Sequence, residues 1–147
     1  MTSIELLILN EQLVGSLYSI YAEKFPEEKQ FWLSLAAEES THAELLEGVR
    51  DIAEEIPNFL KQDRFSISDI ELSISFIKDL IKKAENFTLL NALFMARDLE
   101  NSVIEKYFFK IMSADSHFVQ STFSRIEQDT KRHREKIQEL LLKYNSK

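Results

Sequence analysis

Three glutamates and two histidines occupy positions in this chain where a helical core calls for leucine, and nothing else in the sequence narrows the fold as far. At the seven-residue, two-turn spacing of a buried helix face, four segments each carry an apolar stripe with polar residues near its middle. The first stripe is Leu7, Glu11, Val14, Tyr18, Tyr21; the second is Trp32, Leu35, Glu39, His42, Leu46, Val49. The third runs Leu89, Leu93, Ala96, Glu100, Val103, Tyr107, Ile111, and the fourth Val119, Phe123, Ile126, Thr130, His133, Ile137, Leu140. An ionised carboxylate taken out of water must recover its lost solvation from a cation or from hydrogen bonds, so these stripes ask for a cation at their centre.

With 147 residues the chain can bury a full core, and only 2 glycines and 2 prolines favour long helices over a turn-rich β fold. The expected fold is all-α, a single domain over 1–147. A first helix is predicted from Ser3 to Lys24, ended at Phe25-Pro26; Pro26, Glu27 and Glu28 suit the opening of a second, antiparallel helix reaching about Ala53. Ile56-Pro57-Asn58 ends it, and residues 54–66 read as loop. Ser68 and Glu71 form a capping-box pattern ahead of Ile70, Ile74, Ile77, Ile81 and Ala84, which predicts a connecting helix over Ser68 to Glu85 that covers the bundle or pairs with another subunit. Thr88 can cap a third long helix to about Met112, and Ser116 a fourth to about Tyr144.

A two-fold internal repeat runs through this layout. Glu11 precedes Tyr18 by seven residues and Glu100 precedes Tyr107 by seven; His42 follows Glu11 by 31 and His133 follows Glu100 by 33. A helical hairpin folded against its own copy brings these patches to one level of a bundle. Glutamate from one helix with Glu-x-x-His from its partner is a donor set for iron, manganese or zinc, since oxygen and imidazole suit those ions. Glu11, Glu39, His42, Glu100 and His133 are therefore the candidate metal ligands. Glu38 competes with Glu39, because it lies four residues before His42; the phase of Trp32, Leu35 and Leu46 favours Glu39 and leaves Glu38 facing solvent or touching a ligand. Tyr18 and Tyr107 are core aromatics whose hydroxyls need a partner, with a ligand carboxylate as the sharper option.

Several function classes are excluded or disfavoured. With Cys 0 there is no disulfide, thiolate site or cysteine nucleophile, which suits a cytoplasmic setting. A net charge of -7 disfavours nucleic-acid binding, and Lys131, Arg132, Arg134 and Lys136 read as a solvated helix face. The first ten residues lack a signal-peptide pattern, and no segment is long and apolar enough to span a membrane. Phe76, Phe94, Phe108 and Phe109 can mark a homodimer interface, the commoner explanation being packing beneath the connecting helix.

Glu11 with Tyr18, the run Leu35-Ala36-Ala37-Glu38-Glu39-Ser40-Thr41-His42, then Ala96-Arg97-Asp98-Leu99-Glu100 with Tyr107, and finally His133, resemble the ferritin-like proteins of the rubrerythrin group over nearly the whole chain. The resemblance implies an antiparallel four-helix bundle with a long crossover connection, and a di-iron centre that reduces peroxide or reacts with dioxygen. In that likeness Glu11 and Glu100 are terminal ligands, Glu39 a bridge, and His42 and His133 the nitrogen ligands. Two departures matter. Thr130 stands where a second bridging glutamate is expected, and Asp129 beside it lies roughly 100 degrees around the helix. With that carboxylate missing, the site holds one ion, binds a second weakly, or recruits water or an external anion; Thr130 can donate a hydrogen bond to a ligand. The four-cysteine rubredoxin module is also absent, so any electron donor is external. The sequence thus leaves three functions open: an iron oxidoreductase, a metal-binding or storage module without turnover, and an interaction protein that has lost its metal.

Overall fold

The computed structural model describes residues 1–55, 67–103 and 117–146, all in helices or their short connections, with no strand among them. Helix α1 spans Ser3–Lys24, as the sequence predicts. Thr2 caps it: its hydroxyl accepts from Glu5 N at 3.3 Å, and the Glu5 carboxylate accepts from Thr2 N at 3.2 Å. That closes a capping box over two otherwise unpaired amides. A single 3-10 turn at Pro26–Glu28 leads into α2, Lys29–Glu55. Contacts between Tyr21 and Trp32, Gly15 and Glu39, and Glu11 and His42 run in opposite chain directions, so α1 and α2 are antiparallel.

Gly15 faces α2 at the level of Glu39: a Cβ at this position would lie 3.4 Å from Glu39 Cβ and 3.6 Å from the Ala36 carbonyl, ordinary contact distances that an alanine could occupy.

Helix α3, Ile67–Lys83, packs on α1 and is followed by a 3-10 turn, Ala84–Asn86. Its apolar stripe is as expected except that Leu80 takes the buried place and Ile81 is only partly covered. Ser68 sits inside the first turn of this helix instead of ahead of it, because helical backbone begins at Ile67. Phe76 is exposed on α3, whereas Phe94 packs partly buried against the core; Phe108 and Phe109 lie outside the described residues.

Helix α4, Leu89–Val103, opens on a reciprocal pair in which Thr88 Oγ1 accepts from Asn91 N and Asn91 Oδ1 accepts from Thr88 N. It packs on α5, His117–Asn145. The expected end of the third long helix near Met112, the cap at Ser116 and nearly all of the 54–66 loop fall outside the described residues. Helices α2 and α5 are antiparallel: Glu28 accepts from the Tyr144 hydroxyl near one end, and Gly48 lies beside Phe118 near the other.

The four stripes converge. The members whose burial is described are buried, except Leu140, which is half-covered while its neighbour Leu141 is buried. The apolar core is divided in two by a polar layer, which α1, α2 and α5 cross and which α4 reaches at Glu100. One cluster takes Ile4 to Ile8, Ala43 to Val49, Ile70, Ile74 and Val119 to Ile126. The other takes Val14 to Phe25, Trp32 to Ala36, Ile77 to Ala84, Leu89 to Leu99, Ile137 and Leu141. Between them lie Glu11, Glu39, His42, Glu100, Thr130 and His133, and at the flank Ser73 donates to Asn10 Oδ1 at 2.7 Å. None of the described helices is long and apolar enough to cross a membrane.

Candidate metal centre

Glu11 enters the layer from α1, Glu39 and His42 from one face of α2, Glu100 from α4 and His133 from α5. All five are at least nine-tenths buried, and both histidines are wholly so. They form two triads that share one member: Glu11, Glu39 and His42, and Glu39, Glu100 and His133, each offering donor atoms within 4.8 Å of one another. His42 Nδ1 lies 3.5 Å from Glu39 Oε2 and 3.9 Å from Glu11 Oε2. His133 Nδ1 lies 3.3 Å from Glu39 Oε1 and 3.6 Å from Glu100 Oε1. Neither Nδ1 makes a hydrogen bond, although both are buried. The two rings stack at 5.8 Å between centroids, inclined by 22°.

The outer nitrogens are held crosswise. His42 Nε2, on α2, faces Asp129 Oδ2 of α5 at 3.0 Å, and His133 Nε2, on α5, faces Glu38 Oε2 of α2 at 2.5 Å. An ionised carboxylate can only accept, so each Nε2 carries the hydrogen and each Nδ1 is the atom left for a ligand role. Glu38 thus binds the histidine opposite, about a third exposed, while Glu39 points inward, as the phase argument expects. Asp129 is the residue the sequence reading passed over. Its position four residues before His133 repeats that of Glu38 before His42, and this doubled interval was the available clue.

Tyr18 donates to Glu100 Oε1 at 2.6 Å across the layer, so its hydroxyl finds its partner in one of the candidate ligand carboxylates. Tyr107 lies outside the described residues. Thr130 is buried and lines a small void with Glu11, Val14, Glu39, Leu99 and Glu100. Its hydroxyl donates to the Ile126 carbonyl at 2.8 Å and not to a neighbouring carboxylate. A threonine in mid-helix satisfies its donor most directly on the carbonyl one turn back, and that explains the difference.

Proton affinities follow from this crowding. Burial, reinforced by the charge of Glu39, pushes Glu11 well above the usual carboxylate range, and the same two causes raise Glu100. Burial also acts upward on Glu39, but contacts with Glu11, His133 and His42 outweigh it and hold this carboxyl low. Burial alone would lower both histidines; the facing carboxylates overcome it and raise His42 to about 11 and His133 to about 10. Protons and a cation therefore compete for the same layer, and Glu39 is the carboxyl that most resists taking up a proton. Tyr18, raised by burial and by Glu100, remains a protonated donor.

The donor set fits a divalent ion of the iron, manganese and zinc kind. Metal–ligand bonds of about 2.0–2.2 Å put donors some 3–4 Å apart, which small rotations from these spacings achieve. Comparison with protein-family models, with characterised proteins and with solved structures gives no match to this chain, so the site is argued from its geometry.

Proposed function

We propose that this protein is a ferritin-like metal protein, a four-helix bundle of α1, α2, α4 and α5 with α3 in its crossover, whose two adjoining metal positions share Glu39. Iron is the preferred occupant, with manganese or zinc as alternatives, and the activity proposed is non-haem oxidoreduction of peroxide or dioxygen. One observation supports this above the rest: two buried histidine Nδ1 atoms, neither hydrogen-bonded, each face two carboxylates around one common glutamate. Buried polar atoms are rarely left unpaired, and two at one level, aimed at three acids, are what a shared cation would satisfy.

Bound iron would supply the redox step, in which two electrons and two protons convert one hydrogen peroxide to two waters and an external donor restores the ferrous state. The chain's own residues do the rest. Glu38 and Asp129 fix the imidazole rings, Tyr18 fixes the Glu100 carboxylate, and the apolar clusters on either side keep bulk water away. Glu11, whose proton affinity is raised by burial and by Glu39, must be ionised to bind a cation, so binding competes with its protonation.

A second reading, a module that holds a single ion without turnover, draws on Thr130, which supplies no charge where the internal repeat sets it opposite Glu39. Elemental analysis of protein purified without chelators separates these readings from a metal-free interaction protein. About two irons per chain, with an absorbance change when the reduced form meets peroxide, is the expected result. One ion and an inert spectrum favours the second reading, and no ion with no uptake on ferrous loading overturns both.

A further inference from the structure

The proton-bearing nitrogens of both histidines lead outward to the same residue. His42 Nε2 is held by Asp129 and His133 Nε2 by Glu38, and the Nη2 nitrogen of Arg132 contacts both of those carboxylates, Asp129 Oδ1 at 3.0 Å and Glu38 Oε1 in a shorter hydrogen bond. Arg132 lies on α5 beside His133 and is 45% exposed, so it roofs the site at the seam between α2 and α5. Glu38 and Asp129 each offer one oxygen to a ring and the other to this guanidinium.

We infer that Arg132 is a positioning residue that acts on both metal positions at once, by holding the two carboxylates that orient the two histidine rings. This rests on the metal reading above. A carboxylate anchored at one oxygen alone can swing toward water, and its imidazole partner then loses a fixed orientation and tautomer. Partners of this kind change metal affinity by about 10- to 100-fold. Because the guanidinium acts through them and not on the rings, the lower end of that range is expected, and it falls on both positions together. Asp129→Asn, by contrast, weakens chiefly the position of His42, and Glu38→Gln that of His133.

One nitrogen makes both contacts, so a lysine ammonium can reproduce much of the effect while a neutral side chain cannot. The test is a cobalt(II) titration of the full chain, followed by visible absorption, for wild type, Arg132→Ala, Arg132→Gln and Arg132→Lys. Melting of each metal-free variant is measured alongside. Both binding steps should weaken about 10-fold in the alanine and glutamine variants and recover in the lysine variant, with metal-free melting nearly unchanged, since Arg132 is half exposed. Binding equal to wild type in the two neutral variants overturns the inference, as does a loss confined to one step or one that lysine does not restore. A wild-type chain that takes up no cobalt instead sinks the metal reading itself.

Discussion

Glu39 belongs to both triads and Glu11 to one, so their substitutions must differ in kind. Glu39→Gln keeps the shape and one acceptor oxygen but removes the charge that faces His42 Nδ1 at 3.5 Å and His133 Nδ1 at 3.3 Å. A ligand present at 100 times its Kd stabilises the native state by about 2.7 kcal/mol per site. For a domain near this size, 1 kcal/mol moves the melting midpoint by roughly 3 °C. Two independent positions should therefore add about 16 °C to wild type, one about 8 °C to Glu11→Gln, and Glu39→Gln should gain close to nothing. The assay is thermal denaturation of each variant with and without saturating metal, beside bound metal per chain. Because each shift is measured within one variant, the separate cost of leaving two imidazolium rings without their counterion, about 3–5 kcal/mol, cancels. If Glu39→Gln kept two ions and the wild-type shift, or if Glu11→Gln lost as much as Glu39→Gln, a shared ligand could not be maintained.

Metal uptake should tighten as pH rises, because ions displace protons from Glu11, His42 and His133, each of which holds them more firmly than usual; isothermal titration at several pH values reads this directly. Metal-free protein should show the opposite trend. His42 is raised from 6.5 to about 11, so its stabilisation is fully present below 6.5 and gone above about 11, and the melting midpoint in chelator should fall across that window. Tyr18→Phe removes the donor to Glu100 and should cost about 0.5–1.5 kcal/mol in denaturant unfolding, the range for an ordinary intramolecular hydrogen bond; an unchanged midpoint would contradict the role given to Tyr18.

Much of this arrangement is written in the helix phase. The polar interruptions of the four stripes predict that Glu11, Glu39, His42, Glu100 and His133 share one level, because a buried face repeats every seven residues and the hairpin repeat aligns the levels. The same phase distinguishes Glu39 from Glu38. What phase cannot reveal is which neighbour a second face meets. Asp129 was set aside for its angle from Thr130, and that angle is what turns it toward α2, where it meets His42. Arg132 read as one more solvated cation for the same reason, since its two partners come from different helices. The hydroxyl of Thr130 has a local alternative, the carbonyl one turn back, which wins without any tertiary partner.

The charged band between the two dry halves of the interior also fixes alignment. Sliding α5 along α2 by one turn would set His133 and Asp129 against hydrocarbon and leave Glu38 and Glu39 facing aliphatic side chains. Greasy surfaces alone would tolerate such a slip, as leucines interdigitate almost equally well one notch away. The band behaves as a key in a slot, setting α2 against α5 in the alignment that keeps its charged groups paired.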